Sequence, residues 1–333
     1  MSAFRCVECG AVLEAPERGV AIGCDCGASF EAGFGGWDFR PSNDDDNRDV
    51  QAEIYDGMVG KLTNFSQPHN LMLRYQGRLV ERFIKREDRV LEIGGHRSGL
   101  LPFLEERREA RCSGVDISAT WVAEQNRLAR IRGTETQWVL ADAANLPFPD
   151  DHFDAICSFD VFEHLSDAGA AITEVARVLR PGGLFICHMP VRDIEGSMDG
   201  LQRRFRGDKW RAAQANVGHF HDQMASSGEL VGMFEGEGME IVLNEPYNVW
   251  LQPLHDYKLL SRLGKLRHGG KSVHAREETP TSDAAPAEGG GGGIQALYSK
   301  YVIPVAAVLT MPDRIGVALG VGGSRTFVVR AGS

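Results

Sequence analysis

The chain has 333 residues, enough for one large domain or two ordinary ones with a sizeable buried core. Apolar residues make up 43% and charged residues 25%, which excludes a disordered or fibrous chain. A net charge of −10, from 36 basic and 46 acidic residues, weighs against a nucleic-acid binder, which needs a basic footprint.

Taken in chain order, the first feature is a cluster of four cysteines, Cys6, Cys9, Cys24 and Cys26, in a glycine-rich stretch without helical periodicity. Two closely spaced pairs fit a tetrahedral zinc site, with free thiols and a redox pair as the alternatives. An acidic run, Asn43–Asn47, marks a linker over 41–67 that includes a leading helix. Between Pro68 and Arg86 apolar residues fall at helical spacing. The pattern then alternates. Strands are expected at Arg89–Ile93, Thr136–Leu140, Phe153–Phe159 and Leu184–His188, and helices at Thr120–Arg132 and Gly169–Leu179, the second ended by Pro181-Gly182-Gly183. A further helix follows Ile93, and Asp116 ends the strand after that. Such alternation implies βαβ units and an α/β, doubly wound, mostly parallel sheet.

Residues 190–225 are polar and mixed and contain a basic run, Arg203 to Arg211, with five basic residues against Asp208. It reads as a solvated face or as a lid gripping a phosphate or carboxylate. A helix at Gly228–Gly236 leads to a strand at Met239–Leu243. Residues 264–293, ending in five glycines, read as a mobile insertion, and Arg325–Arg330 as a closing strand. The opening residues show no basic leader followed by an apolar stretch. The apolar run Tyr301–Met311 is interrupted by Pro304 and is shorter than the ~20 residues of a spanning helix, so a cytoplasmic location is expected. Cys112, Cys157 and Cys187 fall in expected strands and read as core.

Three segments carry chemistry. Arg89–Gly99 runs a strand into a glycine-containing turn, where backbone can approach a ligand closely. Gly114-Val115-Asp116-Ile117-Ser118 places an acid where both hydroxyls of a ribose can be held, or where a helix is capped. These two fit a nicotinamide dehydrogenase or a methyltransferase. The third segment, Leu140 to Asp154, with Ile156-Cys157-Ser158-Phe159 and Glu174 to Gly183, decides between them. With it the chain resembles class I S-adenosylmethionine-dependent methyltransferases, closest to the small-molecule group that includes quinone-biosynthesis enzymes. The resemblance covers about residues 70–245 plus the last strand.

That resemblance implies a seven-stranded Rossmann-like sheet and S-adenosylmethionine as cofactor. It puts Glu92, Gly94, Gly95 and Gly99 under the amino-acid part, Asp116 on the ribose and Ile117 on the adenine. Asp142 falls near the adenine amino group, Ala143 offers a backbone contact, and Phe159 lies where methyl donor and acceptor meet. The loop Gly94–Gly99 is one residue longer than the family's run of alternating glycines, with His96 and Arg97 inside it.

The implied acceptor is a small molecule or a glycan-type compound, facing Asp160, His219, His221, Arg203 and Arg206. In-line transfer to an oxygen or nitrogen often needs a base. His164, in Phe162-Glu163-His164-Leu165, and His219 are the candidates, each with a packing role as its alternative. Ser166 and Asp167 read as helix caps. The segment through Gly35–Phe39 resembles the zinc-ribbon modules found ahead of some methyltransferases, which implies structural zinc on the four cysteines. The resulting organisation is a separate ribbon unit over 1–40, a linker over 41–67, and a methyltransferase domain over 68–333. The rival readings are a zinc-ribbon RNA methyltransferase, against which the acidic balance weighs, and a noncatalytic cofactor-binding scaffold.

Overall fold

The computed structural model describes residues 4–13, 21–33, 36–40, 68, 70–95, 99–215, 221–251 and 298–332. The acidic run, the leading helix, His96, Arg97, His219 and the insertion expected over 264–293 lie outside these residues.

Short strands open the chain: β1 (Phe4–Arg5), β2 (Val12–Leu13), β3 (Ala21–Gly23), β4 (Ser29–Gly33) and β5 (Gly36–Trp37). β1 pairs antiparallel with β2, and β3, β4 and β5 form a small antiparallel sheet. Next comes α1 (Leu71–Phe83), whose first turn is capped by Asn70 accepting from the Leu73 amide at 2.7 Å. β6 (Arg89–Ile93) has four of its five residues buried, as expected of a strand covered on both faces.

From there the alternation is regular: α2 (Leu100–Arg108), β7 (Arg111–Asp116), α3 (Ala119–Arg132), β8 (Gln137–Leu140), β9 (Phe153–Phe159), α4 (Ala168–Val178) and β10 (Leu179–Pro190). Ser118 caps α3 by accepting from the Trp121 amide, and Gly133, at φ +68°, ends it. Asp167, rather than Ser166, caps α4. The chain continues through α5 (Met198–Arg206), α6 (Asp208–Ala215), α7 (Ser227–Gly236), β11 (Glu240–Tyr247), α8 (Ile303–Leu309), α9 (Asp313–Ala318) and β12 (Ser324–Arg330).

The large sheet runs β11-β12-β10-β9-β6-β7-β8. β6 to β10 are mutually parallel, while β12 runs antiparallel between β10 and β11. This is the doubly wound order, and the direction of winding reverses between β6 and β9. Ligands bind in the crevice that such a reversal opens at the carboxyl ends of the strands.

One local expectation needs correction. Pro181-Gly182-Gly183 does not separate helix from strand: β10 begins at Leu179 and runs through it as a bulge. Leu179 pairs with Phe153 and Leu184 with Ala155, so the four residues between them on β10 oppose the single Asp154 of β9. Residues 190–225, read as polar and mixed, hold α5 and α6. Met198, Leu201 and Phe205 of α5 recur at helical spacing although none is buried, and Arg203, Arg204 and Arg206 in its last turn suit the negative end of the helix dipole.

The ribbon is not a separate unit. The Asp38 backbone bridges Leu140 in parallel fashion, and the Phe39 amide donates to the Leu140 carbonyl at 2.7 Å, extending the exposed edge at β8. Phe39 is fully buried, with its ring 4.9 Å from Phe4 and 5.0 Å from Phe30, and Phe4 lies 6.0 Å from Phe148. Ribbon and sheet therefore share one continuous core.

Candidate cofactor and acceptor site

The expected cofactor residues converge on the carboxyl ends of β6, β7, β8 and β9. Glu92, buried, is the penultimate residue of β6, and Gly94 and Gly95 follow that strand. Gly94 adopts φ +73°, and its amide donates to the Val115 carbonyl at 2.9 Å. A side chain there would meet Val161 at 2.3 Å, so glycine is required for the close approach of the β6 and β9 loops. Gly95 has a packing duty as well. Its carbonyl accepts from the Trp121 indole, and an added Cβ would lie 1.9 Å from the Trp138 ring. Gly99 precedes the first turn of α2.

Asp116 ends β7 and is buried; its Oδ1 accepts from the Ser118 amide at 2.9 Å. The ribose-acid and capping expectations are thus not exclusive, because this bond shapes the turn into α3 and keeps the carboxylate at the strand end. The Ala141 amide donates to the Asp116 carbonyl at 3.1 Å, which ties the β7 and β8 ends together. Two residues past β8, Asp142 Oδ1 accepts from the Ala144 amide at 2.9 Å, and Ala143 is buried. Ile117 adjoins Asp116, and Phe159 closes β9.

The neighbouring half of the cleft lies over β9, β10 and β12. Asp160 follows β9 in the left-handed region, at φ +56°, and its amide donates to the His188 carbonyl at 2.8 Å. Its side chain is 52% exposed into the cleft, yet the surrounding protein withdraws enough water to push its carboxyl up to about 7. Glu163, in the turn Phe162–His164, is pushed well above the carboxylate range by burial and by the Asp160 charge. The His164 ring is mostly buried, with Nε2 3.7 Å from Glu163 Oε1.

Sequence reasoning missed His188, Tyr75 and Tyr247. His188 is 1% exposed, stacks edge-on to Tyr247 at 5.7 Å, and burial drives its pKa down to about 3. A signal was present: a histidine inside the apolar run Leu184–Met189 is out of pattern for a core strand.

The basic segment divides. Arg203 pairs with Glu195 and bonds His221 Nε2, so those groups bind one another. Arg206 lines an open groove of about 670 Å³ on α5 and α6 with Phe205, Lys209 and Trp210.

At the ribbon, the four cysteine sulfurs lie within 4.8 Å of one another, with Cys6 to Cys26 at 3.7 Å and Cys9 to Cys24 at 3.5 Å. A tetrahedral zinc thiolate site has sulfur–sulfur edges of about 3.8 Å, so the set has the size and chemistry to hold that ion. The shorter second knuckle still closes. The Gly10 amide donates to the Cys6 carbonyl and the Gly27 amide to the Cys24 carbonyl, each at 2.9 Å, with φ of +81° and +95°.

Comparison with known proteins places this geometry. Residues 91–187 match the model of a methyltransferase domain. Demethylmenaquinone methyltransferase of Thermus thermophilus is 35% identical over 137 residues, 40% of this chain and 60% of that protein. A fatty-acid O-methyltransferase of Mycolicibacterium smegmatis is 39% identical over 99 residues, 29% of this chain and 35% of its own length. The match thus spans only about one third to three fifths of the length of these relatives. Phosphoethanolamine N-methyltransferase 2 of Haemonchus contortus, solved with S-adenosyl-L-methionine, superposes with a TM-score of 0.51 at 14% identity, over 78% of this chain and 53% of that one, which speaks to fold alone. Among the described residues no helix is long and apolar enough to cross a membrane. Residues 91–187 are thus similar to a methyltransferase domain, and they lie on a seven-stranded sheet of the order β11-β12-β10-β9-β6-β7-β8.

Proposed function

We propose that the chain is an S-adenosylmethionine-dependent methyltransferase for a small-molecule or glycan-type acceptor, methylating an oxygen, nitrogen or carbon, with structural zinc on its four cysteines. One observation carries this reading. Two carboxylates, Asp116 and Asp142, stand at adjacent strand ends beside the point where the sheet reverses its winding, each with its turn fixed by a backbone bond. An acid at the end of β7 suits a pair of ribose hydroxyls, and one past β8 suits an exocyclic amine, with Ala143 offering backbone and Ile117 an apolar face to the ring. The glycines after β6 leave room for backbone to approach the amino-acid part beside Glu92. The cofactor supplies an activated methyl group when bound; the protein's part is to align it with the acceptor over Phe159 and Asp160.

The acceptor side is drawn from its lining. Arg206 and Lys209 along the groove favour an acceptor bearing a phosphate or carboxylate. Arg203 supports this from within, by holding His221 and Glu195 in place. In this reading residues 1–40 are the zinc ribbon and 68–333 the methyltransferase domain.

Calorimetric titration of the full chain with S-adenosylhomocysteine tests the cofactor assignment, with micromolar binding expected and no binding at millimolar concentration refuting it. Incubation with labelled S-adenosylmethionine and small-molecule extract then reveals the acceptor. Elemental analysis should find about one zinc per chain, and Cys9→Ser should lose it.

A further inference from the structure

His188 has no part in the roles assigned above, yet it occupies a commanding place. It is paired in register with Phe159 of β9 on one side and Thr326 of β12 on the other. Nδ1 lies 2.8 Å from Thr326 Oγ1. Nε2 is buried, has no hydrogen-bond partner among the described residues, and lies 3.9 Å from Asp160 Oδ1. A buried polar atom without a partner costs about 1–3 kcal/mol, and at the ligand-binding edge of a sheet it marks a bond that a ligand completes.

Donor counting bears on which nitrogen carries the proton. The Tyr75 hydroxyl donates to Glu245 Oε2 at 3.0 Å, since a carboxylate only accepts. Its single proton is then used, so toward Thr326 its oxygen can only accept. A Thr326 hydroxyl turned that way accepts from His188 Nδ1–H, and Nε2 is then left with a bare lone pair 3.9 Å from Asp160 Oδ1.

Building on the methyltransferase reading, we propose that His188 Nε2 binds the acceptor's nucleophilic O–H or N–H and passes its proton to Asp160 as the methyl group is transferred. The acceptor heteroatom bonds the methyl carbon of the sulfonium donor. The carbon–sulfur bond breaks, and its electron pair stays on sulfur. The proton moves from the heteroatom to Nε2, on to the Asp160 carboxylate, and from there to solvent through that residue's exposed face. His188 is faced by Asp160 just past β9 and by Tyr247 of β11, with Tyr75 and Glu245 beyond Thr326 and Tyr247; Asp160 is faced in addition by Glu163. Desolvation keeps the imidazole neutral at working pH and raises the proton affinity of Asp160, which suits one to relay and the other to receive.

The test is nitrogen-15 spectroscopy of the histidines of the full chain, with and without S-adenosylhomocysteine, His188 being assigned by His188→Gln. Nε2 should resonate as a bare nitrogen and Nδ1 as a protonated one, unchanged from about pH 5 to 8. Tyr75→Phe frees the Thr326 proton to donate to Nδ1 and should switch His188 to the Nε2–H form. Phenol or aniline, as the smallest O–H and N–H probes, should shift the Nε2 signal saturably. A native Nε2–H form, an unchanged tautomer in Tyr75→Phe, or no response to either probe overturns the proposal. If S-adenosylhomocysteine binds while these fail, the His188 role alone falls; if it does not bind, the methyltransferase reading falls and takes this role with it.

Discussion

Asp116→Asn isolates the ribose contact from the fold. The native carboxylate has two duties: Oδ1 holds the Ser118 amide at 2.9 Å, and the group faces the cleft at the end of β7. Asparagine keeps an oxygen for that amide, so the turn into α3 and its Ser118 cap survive. The charge is lost, and an amide donor replaces an acceptor opposite two hydroxyls that both donate. Charge-assisted bonds contribute ~1.5–3 kcal/mol each. With one removed and the other weakened, roughly 2–4 kcal/mol should go, a rise in Kd of about 30- to 1000-fold. Alanine would also strip the Ser118 amide of its partner, and would mix a stability loss into the reading. Calorimetric titration with S-adenosylhomocysteine, with Tm as the folding control, measures the effect. A folded Asn variant whose Kd stays within about threefold of the native value would remove Asp116 from the ribose site.

Three further outcomes follow from the same geometry. Phe39→Ala, which empties a fully buried ring site between Phe4 and Phe30, should cost about 3–5 kcal/mol and lower the whole chain's single unfolding transition; two separate transitions would show that ribbon and sheet do not share a core. Chelating the zinc proposed on the four cysteines should lower both Tm and cofactor affinity, because the Asn145 side chain donates to the Val7 carbonyl and the Arg5 amide to the Pro147 carbonyl, tying the cysteine segment to the loop after Asp142; a full loss of metal with cofactor affinity unchanged would refute the coupling. Burial holds His188 down to about 3 against an ordinary value of about 6.5, so between these pH values the unfolded chain binds the extra proton and native stability falls on acidification. Asp160, pushed up to about 7, works the other way, gaining stability as pH falls from 7 towards 4, so the test is a difference. His188→Gln should flatten the acid loss between pH 6.5 and 4.5 by roughly 2 kcal/mol in urea titrations, and parallel curves for the two proteins would contradict the buried neutral imidazole.

The half of the cleft over β6, β7 and β8 was legible because its residues are set by local events. Glu92, Gly94, Asp116 and Asp142 each stand at the end of a short apolar strand or just past it, followed by a turn, and those boundaries are written in adjacent residues. Where the reading went astray, non-local pairing had overruled local chemistry. Pro181-Gly182-Gly183 has the composition of a break, yet β10 carries it as a bulge against β9. The ribbon reads as self-contained because its cysteines are contiguous, but its apolar residues complete the core beside β8, and nothing local says so. α5 was legible in principle, since Met198, Leu201 and Phe205 recur at helical spacing, but three arginines in nine residues mask that short stripe.

The acceptor half follows from this contrast. His188 takes its meaning from Thr326, 138 residues away, and Thr326 stands in register with Glu245 of the outermost strand, which accepts from Tyr75 of the N-terminal helix. These groups meet only because β12 inserts antiparallel between β10 and β11, with His188, Thr326 and Glu245 in one register row. A slip of one residue in that pairing would turn Thr326 to the opposite face and leave His188 Nδ1 without its acceptor. On the proposed reading the cofactor rests on turns that each βα unit makes for itself, whereas proton handling rests on the last strand laid down in the sheet. Substitutions that loosen β12 at a distance from the cleft should accordingly impair transfer before they impair cofactor binding. Phe327→Leu, a change to a fully buried β12 side chain beside Thr326, is the direct case. It should leave the Kd for S-adenosylhomocysteine within about threefold while mixing the two His188 tautomers. Equal damage to both would show that the two halves of the cleft are built as one.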